Sequence, residues 1–144
     1  MCLYNPLQIH PENDIICYKV MYLSKTIYEV AKNCEKLKNE LIFLASPFFS
    51  SHNWQLNHEY EIINEPTIEE IDNTLNDNAF HSFKTLDGAK DLLEFLKLDE
   101  PKSDFAIVKC VIPKTAQYVY EGEFNGSKCY ASTSLIVKEI IEIQ

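Results

Sequence analysis

Phe80-His81-Ser82-Phe83 is the stretch whose residue types come nearest to chemistry. A strand turns successive side chains to opposite faces, so Phe80 and Ser82 share one side and His81 and Phe83 the other. A histidine between aromatics on a strand can orient a ligand or act as a general base. The competing reading is a core imidazole satisfied by a backbone carbonyl. Cys2 offers a second chemistry: if Met1 were removed, the thiol would carry its own amine as a base. No oxyanion donor or base companion follows it in the chain.

Glu121-Gly122-Glu123, between Tyr120 and Phe124, is a Glu-x-Glu pair. Such a pair can hold a ribose in enzymes that transfer ADP-ribose, but Glu-x-Glu is common on sheet edges and the stronger reading is an ordinary solvated hairpin tip. Two segments suit binding rather than turnover. Residues Glu59 to Asp77 hold seven carboxylates and no lysine, a candidate docking surface for a basic protein. Within it, Glu59, Glu61, Glu69 and Glu70 are the expected contact residues, and the interleaved isoleucines read as a contact to the core. The loop just before it carries Phe48, Phe49, His52 and Trp54. Aromatics on a loop serve either as partner anchors or as a plug for one end of a sheet.

Composition bounds what these groups can be part of. A chain of 144 residues buries about two-thirds of its surface, enough for one core without staples, and one domain over residues 1–144 is expected. All 13 basic residues are lysine and the net charge is −9. Without arginine's planar fork, and with an acidic balance, a nucleic-acid reader is not expected. Three glycines cannot make a phosphate-cradling glycine loop. Of five cysteines, an odd number with no CxxC pair, four sit within apolar patterns and read as reduced core thiols in a cytoplasmic protein, and no spacing suits zinc. No cofactor and no membrane segment are expected; the longest apolar run, Leu41–Ala45, is far too short to span.

The elements that must position these residues follow from periodicity. Ile15–Leu23 and Phe105–Ile112 are dense in β-branched and aromatic residues and read as buried strands. Residues 1–14 read as an extended lead-in. Thr26 and Glu29 fit a capping box opening a helix over about 27–38, and Thr67 and Glu70 fit a second, opening a short helix to about Leu75. A short strand is expected within 41–45, an edge strand over 58–63 and another strand over 79–83. Thr85 caps a helix to about Leu98, and Asn125-Gly126 turns a hairpin. The closing strand runs over 135–143. The sum is an α+β fold with a mixed or mainly antiparallel sheet and about three helices.

Phe80-His81-Ser82-Phe83, the run Ile107 to Lys114, Tyr120, and the Met1-Cys2 start with Tyr18-Lys19-Val20 together resemble an uncharacterised domain family of viruses and bacteria, sometimes found beside pentapeptide repeats. That resemblance implies a viral or bacterial origin and no particular activity. Ala79 stands where that family usually has glycine. A more distant resemblance is to the ADP-ribosyltransferase fold, with Tyr18, Ser82 and Glu123 as positional matches and no Arg or His on the first strand. It implies a pocket for NAD or another nucleotide joining Tyr18, His81, Ser82 and Glu123. The expectation preferred from the residues themselves is a non-catalytic accessory protein that docks a protein partner through the acidic stretch and the aromatic loop.

Overall fold

The two β-branched, aromatic-rich stretches pair with each other in antiparallel register over eight residues, from Ile15↔Ile112 to Tyr22↔Phe105, and form the spine of the molecule. The computed structural model describes residues 3–47, 53–75 and 78–144. Along the chain these form β1 (Leu3–Ile9), β2 (Ile15–Leu23), α1 (Lys25–Ala31), α2 (Glu35–Glu40), β3 (Leu44–Ala45), β4 (Asn53–Trp54), β5 (Glu59–Glu61) and β6 (Ile68–Glu69). There follow β7 (Thr74–Leu75), β8 (Phe80–Phe83), α3 (Leu86–Asp99), β9 (Phe105–Ile112), β10 (Val119–Phe124), β11 (Ser127–Ser132) and β12 (Ser134–Ile143). The fold is α+β, as expected. Every strand pairing is antiparallel, in the spatial order β5-β12-β9-β2-β8-β11-β10-β1-β7-β6, with β3 and β4 branching from β2.

That row is strongly curled. Six residues, 62–67, connect the strands at its two ends. Their reach is at most about 25 Å. Ten strands laid flat at about 4.8 Å spacing would put the ends about 43 Å apart. The fold-back has two joints. Between β2 and β8 the ladder shrinks to the single pair Tyr18↔Phe83. Between β11 and β12 only Thr133 intervenes, yet β11 pairs with β8 and β10 while β12 pairs with β5 and β9. A strand that switches layers at a bend is how two crossing sheets make a corner.

Thr133 is fully buried and stitches the corner. Its hydroxyl accepts from the Tyr118 N–H at 3.1 Å, its own N–H donates to the Tyr118 carbonyl at 3.1 Å, and its carbonyl accepts from Ile62 N–H at 2.7 Å. One apolar cluster, with Cys17, Met21, Cys110, Trp54, Phe80 and Leu135, fills the inside of the curl. A second, with Val20, Phe83, Phe105 and Ala131, lies on the other face under Ala89, Leu92, Leu93 and Leu96 of α3.

Several elements differ from the sequence expectation. The helix over 27–38 is two helices, and its start is Ser24 rather than the Thr26 box, with no side-chain cap at that position. Ala31 of α1 is buried and Leu37 of α2 packs on the same core. Six residues of uninterrupted helix turn through 600°, which would put Leu37 about 240° away from Ala31. The break at 32–34 resets the phase, and Ile27 and Val30 stay exposed.

The helix expected from Thr67 is instead the β6–β7 hairpin, turned by Asn73 at a φ of +49°. Leu75 and Thr74 are drawn into a ladder with Leu3 and Tyr4, which a helix could not offer. The lead-in is itself a strand, β1. Its register slips between Tyr4 and Leu7, where Asn5 has a φ of +53° and Pro6 has no N–H to pair. The Thr85 cap, accepting from Gly88 N–H at 3.2 Å, and the Asn125-Gly126 turn, with both φ angles positive, are as read.

Candidate functional site

β5 is the edge strand beside β12, and its alternation decides which way the acidic arm points. Tyr60 turns inward, its ring edge-on to Trp54 at 4.6 Å and its hydroxyl accepting from Gln55 N–H at 2.8 Å. Glu59 and Glu61 therefore face outward, and both are exposed. Glu65, Glu69, Glu70 and Asp72 continue the exposed series. Among the described residues no ion pair involves any of these six carboxylates. Of the isoleucines between them, Ile62 packs on the core as expected, but Ile63, Ile68 and Ile71 do not. Ile63 is 84 % exposed and Ile71 completely so. Those two, with the half-exposed Ile68, form an apolar track inside a carboxylate field.

Of the aromatic loop, Phe48, Phe49 and His52 lie outside the described residues, as does Cys2. Trp54 is placed, and it is not an exposed anchor. It is 1 % exposed and stacks edge-on against Tyr60 and, at 5.0 Å, against Phe80. The β3–β4 pairing, Leu44↔Trp54, aims it into the inside of the curl. Of the two readings weighed for it, the plug is the one Trp54 fits.

The four residues of the nucleotide reading are not brought together. Tyr18 packs against the cluster under α3, and His81 shares that face with Phe83. Ser82 shares the opposite face with Phe80. Glu123 sits at the hairpin end, paired with Lys128 at 3.0 Å, in a shallow hollow of about 230 Å³ with Asn5, Leu7 and Glu121. His81 and Ser82 are both buried.

A group the sequence reading passed over lies inside the curl. Cys17 and Cys110 are direct cross-strand partners on β2 and β9, and both are fully buried. Lys19, two residues further along the same face of β2, is only 8 % exposed; its ammonium donates to the His81 carbonyl at 2.7 Å. Burial lowers the Lys19 pKa to about 8, against the pull of the Cys110 and Cys17 sulfurs. Burial also pushes the Cys17 thiol up, but the neighbouring Cys110 and Ser82 side chains, with the Lys19 charge, outweigh it and leave Cys17 below the usual thiol value. Cys110, buried and facing Cys17, is held well above it. In the sequence, Cys17 stands two residues after the start of one strand and Cys110 two before the end of the other. Pairing those strands end to end was the signal that would have found them.

Among the described residues no set of His, Cys, Asp and Glu is arranged to hold a metal ion, and no helix is long and apolar enough to cross a membrane. No protein-family model, no curated protein and no solved structure matches this chain.

Proposed function

We propose that this chain is a non-catalytic accessory protein that docks a basic protein surface onto its acidic arm, residues 59–72. The observation that carries the reading is the exposure of Ile63 and Ile71 among six carboxylates that form no ion pair within the described chain. Burying each isoleucine against a partner contributes roughly 1.5–3 kcal/mol. The carboxylates add steering and select a partner with lysines or arginines around an apolar pocket. The arm runs from the edge strand β5 to the edge strand β6 and keeps both kinds of group exposed along its length.

The test is affinity capture from a lysate with quantitative mass spectrometry, comparing the native chain with an Ile63→Ser/Ile71→Ser variant. A basic protein should be enriched on the native chain, be lost on the variant, and be released at about 0.5 M salt, where the Debye length falls to a few ångströms. If no protein distinguishes the two baits while both keep the same melting temperature, the reading fails.

A further inference from the structure

We infer that Cys17 and Cys110 are an oxidisable dithiol, a modification site at which a peroxide-class oxidant forms a cross-strand disulfide tying β2 to β9. The register is the first support. Directly opposed residues of an antiparallel ladder have Cα atoms about 4.5–5.5 Å apart, inside the range a disulfide bridges. The second is orientation: both side chains are fully buried in the same apolar cluster inside the curl, so they point to one face of the sheet. The third is isolation. Cys34 is exposed at the start of α2, and Cys129 lies on the opposite face of the sheet under α3, so neither competes for either partner.

The surroundings divide the roles. Lys19, on the same face of β2, favours negative charge on Cys17, while burial holds the proton on Cys110. Cys17 is therefore the attacking thiolate and Cys110 the resolving thiol. The Cys17 thiolate attacks one peroxide oxygen and the O–O bond breaks; the departing oxygen leaves as hydroxide and Cys17 becomes a sulfenic acid. Cys110 sulfur then displaces that hydroxyl, the S–S bond forms, and the Cys110 proton leaves with it as water. The two thiols lose two electrons and the peroxide gains them. Both sulfurs are buried, so the oxidant must come through the weakest seam nearby. That seam adjoins Cys17: the β2–β8 ladder there is one pair, Tyr18↔Phe83.

The experiment uses the full, folded chain. It is exposed to hydrogen peroxide, quenched with N-ethylmaleimide under denaturing conditions, digested and mapped by mass spectrometry. The expected result is an intact mass lower by two hydrogens before alkylation and a peptide containing Cys17 linked to one containing Cys110. Recovery of both cysteines as maleimide adducts overturns the inference. So does linkage of either one to Cys34, Cys129 or Cys2, or conversion of either to a sulfinic or sulfonic acid in place of the link.

Discussion

Lys19 shows why a single residue can matter to the whole curl. An ammonium is costly to bury unless something accepts its hydrogen bonds. Here the β2–β8 ladder has thinned to one pair, and the Lys19 Nζ supplies a donor to the His81 carbonyl. The cost appears in its pKa, depressed by burial to about 8 from 10.5. A base with a depressed folded pKa stabilises fully above its unfolded pKa and loses that contribution as pH falls through the folded value. Between pH 8 and 10.5 the unfolded chain therefore holds more protons on this group, and stability rises with pH. Relative to Lys19→Met, the native chain should gain on the order of 3 kcal/mol across that window. Urea unfolding at its two ends checks this; a difference between the chains that stays flat with pH would reject it. Trp54 and Ile71 make the opposite pair at the same scale. Trp54→Ala should cost about 3–5 kcal/mol by leaving a cavity beside Tyr60 and Phe80. Ile71→Ala should change stability by less than about 0.5 kcal/mol while weakening partner capture, because Ile71 touches solvent alone.

At the scale of the element, β1 is held by closeness to β10 rather than by its own propensity. A Cβ on Gly122 would lie 2.5 Å from the Tyr4 carbonyl oxygen and 2.7 Å from Leu3 Cγ. The strands can approach only because position 122 lacks a side chain. Gly122→Ala should push β1 outward, cost about 1–3 kcal/mol and raise amide exchange in Leu3–Ile9, with the β10–β11 hairpin spared. The hairpin itself is local: Asn125 and Gly126 both hold positive φ, the conformation its tight turn demands. β6 and β7 are the contrary case. Thr67-Ile68-Glu69-Glu70 carries a helix-start pattern, but the ladder with Leu3 and Tyr4 buries Leu75 and Thr74 fully and leaves Ile68 and Ile71 outside, a burial the local pattern does not foresee.

Taken as a whole molecule, the curl depends on the corner at Thr133. Thr133→Val keeps the shape of the side chain but leaves the Tyr118 N–H without its 3.1 Å acceptor. The expected cost is about 1–3 kcal/mol, with loss of exchange protection on both sides of the corner, in β11 and in β12. Protection lost in β12 alone would contradict the view that one residue couples the two layers. The same curl turns the segment after β5 into a strap between edge strands, and so holds the acidic arm at the surface. Its charge pattern is a property of composition; its presentation is a property of closure.

What the chain alone determined was whatever depends on near neighbours. Alternation and β-branching set β2 and β9 to the residue, a hydroxyl before an apolar repeat started α3, and Asn-Gly turned the last hairpin. The acidic stretch was equally legible, since charge needs no partner to be counted. Only the tertiary structure decided that Trp54 is core, that Ile63 and Ile71 are not, that β6 and β7 are strands, and that Cys17 meets Cys110. Each of those rests on a contact between residues distant in the chain. The free energy of burying a side chain or pairing a strand there exceeds the few tenths of a kcal/mol by which local propensity separates one conformation from another.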